Sequence, residues 1–166
     1  MKTLTGENLQ KMREQMRIYI SEGYIITVQK PEVGKTYHNH LENVDYCATK
    51  NDIDKVLLIG TVNEPWFAPM QKVLKQYCKE DGTRLSEEDI TESPLNIVRL
   101  RSYNAAIQLQ ENLLVLTKQG YTLKAKKGDY LVCSVKENEN GFFPDDEWGY
   151  WTINKDVFHN TNCLYN

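Results

Sequence analysis

Lys127-Gly128-Asp129-Tyr130-Leu131-Val132-Cys133, followed by Trp148, Tyr150-Trp151-Thr152-Ile153 and Val157-Phe158, has an earlier counterpart in the same chain. That counterpart is Asp54-Lys55-Val56-Leu57-Leu58-Ile59-Gly60, then Glu64-Pro65-Trp66-Phe67, Ala68-Pro69-Met70 and Val73-Leu74. Both stretches read as polar turn, apolar strand, polar break, aromatic turn and short amphipathic helix. Trp66 aligns with Tyr150, Phe67 with Trp151, Val73 with Val157 and Leu74 with Phe158 at a separation of 84. Asp54 aligns with Asp129 and Leu57 with Val132 at 75, and Leu41–Val44 aligns with residues 110–113 at 69. The difference between the first two separations falls on Glu137-Asn138-Glu139-Asn140-Gly141, which reads as a longer hairpin loop. Two organisations are open: a single compact domain over 1–166, or that domain built by internal duplication of 24–80 and 95–163.

Thr5 is a good N-cap, and Leu9, Met12, Met16, Tyr19 and Ile20 keep helical spacing up to Gly23, predicting a first helix of roughly 16 residues. Tyr24–Gln29 reads as a buried strand, 37–48 as a strand, and 55–62 as a firmer one. Pro69 starts a helix striped by Met70, Val73, Leu74, Tyr77 and Cys78 and ended by Gly82. Ser86 caps a short helical turn, and the lapse of apolar pattern over Lys79–Pro94 predicts a linker. Strands follow at 96–101, 113–116, 122–126 and 129–135, with 105–110 ambiguous and a last helix at 153–159 capped by Thr152. Adjacent strands with short connections pair antiparallel, so the fold class is α+β. It consists of a mainly antiparallel twisted sheet, an N-terminal helix and a short helix after each aromatic turn.

The formal net charge is −3 with no single-sign block, so the chain lacks a phosphate-backbone footprint and no nucleic-acid partner is expected. No apolar run approaches the length of a membrane span, and no export signal follows Lys2. Cys47, Cys78, Cys133 and Cys163 are scattered without a C-x-x-C pair and read as structural thiols of a cytoplasmic protein.

Glu111–Leu116, Gly120, Lys127–Val132, Trp148, Ile153 and Phe158 together resemble the small bacterial and phage domains that include the PGDYG family. The resemblance covers 109–161 and more loosely 41–78. Lys127 stands where that family has Pro, and Leu131 departs from the strict motif. It implies a fold and a bacterial or phage setting, and no catalytic residue.

Tyr37-His38-Asn39-His40-Leu41-Glu42 carries the sharpest local chemistry. On a strand, His38, His40 and Glu42 share a face and could hold a divalent metal with open positions. The competing reading is a polar solvent face or turn. Phe142–Trp151 is dense in aromatics and acids. It reads either as a ligand- or partner-binding loop, with Trp148, Tyr150 and Trp151 beside Trp66, or as a plug for the core. Asp129 is a candidate ligand group whose blander role is a turn and strand-start residue. Arg99 and Arg101 with Lys124 and Lys126 offer a small cationic strip, or a solvated sheet face. Gly34-Lys35-Thr36 lacks the upstream glycine of a phosphate loop, and no Ser-His-Asp or dinucleotide pattern is present. The sequence therefore favours a non-enzymatic module binding a protein or small-molecule ligand, with no cofactor and no membrane partner. A divalent-metal enzyme or sensor on His38, His40 and Glu42 is the alternative. A homodimer through Met12, Met16 and Tyr19 is a further possibility.

Overall fold

The computed structural model describes residues 1–165. The chain divides into two compact units. The first comprises Met1–Ser21 and the chain from Ser102 onward; the second is the continuous segment Glu22–Arg101. Among the described residues no helix is long and apolar enough to cross a membrane. The α+β class holds, with largely antiparallel pairing.

The first unit opens with β1 (Lys2–Leu4), α1 (Gly6–Glu14) and β2 (Arg17–Ser21). The second contains β3 (Ile25–Gln29), the hairpin β4 (Thr36–Asn39) and β5 (Val44–Cys47), and the hairpin β6 (Lys55–Ile59) and β7 (Pro65–Pro69). It continues through α2 (Met70–Gln76), β8 (Tyr77–Lys79) and β9 (Leu95–Arg99). The chain returns to the first unit with β10 (Ser102–Gln108), the hairpin β11 (Leu113–Leu116) and β12 (Thr122–Ala125), and the long hairpin β13 (Tyr130–Asn138) and β14 (Gly141–Ile153). It ends with α3 (Lys155–Thr161) and β15 (Cys163–Leu164).

Each unit is organised on a five-stranded antiparallel sheet. The order is β14-β13-β10-β2-β15 in the first and β7-β6-β3-β9-β8 in the second. The apolar run Tyr130–Cys133 shows why the first sheet is covered on both faces. Successive strand residues point to opposite sides. Leu131 and Cys133 accordingly join Leu4, Leu9, Met16 and Val115 on one side. Tyr130 and Val132 join Ala106 and Phe158 on the other, where the Phe158 and Tyr130 rings stack at 3.7 Å between centroids. In the second unit Val56 and Leu58 pack with Ile26, Val28, Val73 and Ile97. On the opposite face, Phe67 meets the rings of Tyr37 and Tyr46 from the β4–β5 hairpin.

Several elements differ from the sequence expectation for physical reasons. The first helix stops at Glu14. Met16, Tyr19 and Ile20 satisfied helical spacing, but Ile18 packs into one core and Tyr19 into the other, the alternation of a strand. Pairing of β2 with both β10 and β15 decides the outcome. The homodimer surface built from Met12, Met16 and Tyr19 therefore has no single helical face to occupy, and Met16 is buried. Lys79–Pro94 is not a linker, because Leu85 and Ile90 are buried in the second unit's core. Both aromatic turns are strand: Trp66 and Phe67 lie in β7, and Trp148, Tyr150 and Trp151 in β14. Asn154, not Thr152, caps the last helix by accepting from the amides of Asp156 and Val157.

The division of the chain makes a direct prediction. Ser21 and Ser102 are paired neighbours in the first sheet, so a two-residue Asn-Gly turn can join them as a hairpin. Residues 22–101 alone, and 1–21 joined to 102–166 by that turn, are each expected to show cooperative thermal unfolding by circular dichroism. A fragment that melts without a transition would show that its sheet is not self-sufficient.

Candidate binding site

The cross-strand pairs of β13 and β14 run from Tyr130–Ile153 to Cys133–Tyr150, then jump to Ser134–Asp145. Asp146, Glu147, Trp148 and Gly149 are the surplus outside the ladder, a four-residue bulge on the edge strand of the sheet. Bulges re-aim side chains, and this one turns Trp148 outward to 75% exposure.

The bulge is clamped on both sides. Arg13, at the end of α1, donates from Nη1 to Asp146 Oδ2 at 3.0 Å and to the Tyr150 hydroxyl at 2.7 Å. Lys118 Nζ lies 2.9 Å from the other Asp146 oxygen. Gln119 Nε2 donates to the backbone carbonyls of Asp146 at 2.7 Å and Glu147 at 2.8 Å. The Tyr121 hydroxyl donates to the Tyr150 carbonyl and accepts from the Tyr150 amide, both at 3.0 Å. Gly149 has φ +84°, and a side chain there would run into that hydroxyl. Burial pushes the Tyr150 phenol up to about 12, against the opposing pull of Arg13, so it is neutral at physiological pH. Nearby, Lys136 bridges Glu147 at 3.0 Å and Asp145 at 3.8 Å.

The sequence-predicted residues scatter. Trp148 is exposed, whereas Tyr150 is buried and Trp151 half-buried beside the Phe158 cluster. Trp66 packs half-buried against the second unit's core. Those three pack against the cores of their units. Asp129 closes the Lys126–Asp129 turn. Burial raises its pKa, against the lowering effects of Lys126 and the Lys155 amide.

The histidine strand does not extend as the metal reading required. It ends at Asn39, and His40 and Glu42 fall in the tight turn before β5. The Asn39 side chain accepts from the amides of Leu41 and Glu42, which fixes that turn. His38 instead pairs across the hairpin with Asp45 at 2.7 Å, and Tyr46 donates to the Glu42 carboxylate. Among the described residues no group of three or more potential ligands is gathered for a metal. The cationic strip is also divided: Arg99 and Arg101 belong to the second unit and Lys124 and Lys126 to the first. Arg101 makes a bidentate pair with Glu22 at 2.8 and 2.9 Å.

Sequence reasoning missed Arg13, Lys118, Gln119 and Tyr121, because their roles arise only when distant segments meet. It also missed Glu64, in the Gly60–Glu64 turn between β6 and β7. That carboxylate is only 5% exposed and folds back over Gly60, the place a side chain at 60 would take. Burial raises its pKa. The amides of Val62 and Glu64 oppose that effect, but neither oxygen closes a well-aligned protein hydrogen bond. In comparisons with known proteins, the chain matches no family model, no curated relative and no solved structure.

Two outcomes test this anatomy. Tyr121→Phe removes two hydrogen bonds to a buried backbone and is expected to cost roughly 1–3 kcal/mol in denaturant unfolding. The Trp148 emission should broaden or shift as the bulge loosens; unchanged stability and emission would show that the bulge holds without the phenol. Glu64 has a folded pKa above its ordinary value near 4.5, so the fold binds its proton more tightly than the unfolded chain does. That stabilisation is full below about 4.5 and is lost as pH rises through the folded pKa. Glu64→Gln should therefore melt higher than the wild type at pH 8, with the gap closing toward pH 4. A constant gap across that range would mean Glu64 is ionised in the fold at no cost.

Proposed function

We propose that the protein is a non-enzymatic, cytoplasmic protein-binding module of two related α+β units, and that the arm Ser134–Gly149 is its contact surface. The observation that carries this reading is the presentation of Trp148. A large aromatic ring stands free on a backbone fixed by Arg13, Gln119 and Tyr121. Such a ring offers much apolar area at small entropic cost, because its support is already ordered before a partner arrives.

The matching hairpin of the second unit supports the same conclusion. There Ile59 pairs with Pro65, and five residues, Gly60–Glu64, close the turn. In the first unit Cys133 pairs with Tyr150 at the corresponding place, and the sixteen residues Ser134–Gly149 stand between them. An extension in one of two similar units marks the surface free to take on a separate task. The four free cysteines suit a reducing compartment.

Trp148→Ala is expected to leave the melting temperature within about 1 °C, since the ring covers little of the fold. It should abolish retention of the protein's partner from an extract of the source cells, compared quantitatively with the wild-type bait. Identical retention by wild type and variant would remove the arm as the contact surface.

A further inference from the structure

The two five-stranded sheets match strand for strand, and their registers close on one another. The matching begins at the helices. Pro69 and Asn154 cap α2 and α3, each seven residues long, and Tyr77 and Asn162 end them, a separation of 85 in both cases. The same separation takes Cys78 of β8 to Cys163 of β15. Cys78 pairs with Val98 of β9, and Cys163 pairs with Ile20 of β2, which sets β9 and β2 apart by 78.

The rest of the sheet follows from pairing alone. Ile97 faces Ile26 of β3, and Tyr19 faces Asn104 of β10, again 78. Val28 faces Leu58 of β6, and Ala106 faces Val132 of β13. Leu58 faces Trp66, and Val132 faces Trp151, a separation of 85. The circuit of the sheet thus returns to the helix separation from which it started. Buried character agrees along it: Val28 with Ala106, Leu58 with Val132, and Val73 with Phe158. The outlying hairpins correspond too, β4–β5 with β11–β12, at separations of 77 and 78 for Thr36 with Leu113 and Cys47 with Ala125.

One strand in each sheet comes from the wrong place. In chain order the first copy is β2 through β8 and the second is β9 through β15. Yet β2 lies between β10 and β15, and β9 lies between β3 and β8. We infer that the chain is a tandem repeat of about residues 17–79 and 95–164 whose two first strands have changed places, each completing the sheet of the other copy. The registers carry the mark of that exchange. Residue numbers paired between β3 and β9, and between β2 and β10, add to the same value, as in Ile25 with Val98 and Ser21 with Ser102. Equal values are required if one ancestral pairing is used twice with its partners traded. The two slots are therefore equivalent, and closure of each copy on its own first strand is a second arrangement open to the folding chain. The inference deepens the two-unit reading proposed above and is independent of the Trp148 surface.

The native cysteines give a test in the undivided chain 1–166. Directly paired strand residues have Cα atoms about 4.5–5.5 Å apart, within the span of a disulfide. In a Cys47→Ser background, which removes one exposed thiol, Ile20→Cys places a thiol opposite Cys163 and Val98→Cys one opposite Cys78. Cys133 is buried, with its thiol pushed up to about 12, and stays unreactive in the folded protein. Mild oxidation of folded protein should link position 20 to Cys163 and position 98 to Cys78, read by peptide mass mapping. Links from 20 to Cys78 or from 98 to Cys163 would overturn the exchange. Refolding from denaturant in a glutathione buffer should show those crossed links transiently, before the native ones dominate. If only native links form at every time point, the two slots are not equivalent and the repeat inference fails. Neither result bears on retention by Trp148, so the two proposals stand or fall separately.

Discussion

Everything in this molecule depends on a strand that fills a gap. Without β9, strands β3 and β8 of the second unit would each expose a row of unpaired amides and carbonyls, and the apolar face beneath α2 would lose Ile97. Without β2, β10 and β15 would be left in the same state, and Tyr19 would no longer meet Phe158 edge-on at 4.8 Å. A buried backbone polar group without a partner costs as much as a lost hydrogen bond, several times over for a whole strand. Helices, hairpins and arm are arranged around sheets that exist only because these two strands are in place.

That constraint explains what the sequence could and could not reveal. Strands with strong local character were legible: Val56–Leu58, Leu113–Leu116 and Tyr130–Val135 are apolar or β-branched runs bounded by turn residues, and each is a strand. Under the proposed strand exchange, the sequence alignment of the two aromatic segments lies one residue out of step. Sequence spacing aligns Trp66 with Tyr150, whereas Leu58 faces Trp66 and Val132 faces Trp151, which matches Trp66 with Trp151 instead. A strand's period of two makes such a slip exchange the faces of every residue. β2 reads as helix in the sequence because Met16, Tyr19 and Ile20 keep helical spacing, and only partners some 80–145 residues away decide for the strand. The site was less legible than the fold. Trp148 was singled out from composition, but Arg13 and Tyr121, the groups that turn an exposed ring into a fixed one, carry no local signal.

The arm shows how charge and packing divide the work. Asp146 is about four-fifths covered and takes both Arg13 and Lys118, so its carboxylate is compensated where it is partly desolvated. Glu147 and Lys136 are about half exposed and contribute little to holding the bulge. Beside the Arg13 contact, neutral bonds to backbone through Gln119 and Tyr121 hold the bulge, and salt does not screen those.

The order of assembly follows from the same topology. Pairing β2 with β10 in an unfolded chain would close a loop of about 80 residues, an entropic cost of roughly 4 kcal/mol on the logarithmic law. Folding of the second unit removes most of it in advance. Its ends are brought together when the Gly23 amide donates to the Arg99 carbonyl at 2.9 Å and the Arg99 amide to the Tyr24 carbonyl at 3.0 Å. Glu22 and Arg101 then lock as a bidentate pair next to Ser21 and Ser102. The remaining closure is that of a short turn, about 3 kcal/mol cheaper. Where β9 reaches its native slot first, the continuous unit is the template, and the discontinuous one, which carries the arm and Trp148, closes on it by a short turn; where it does not, the crossed arrangement must first be undone.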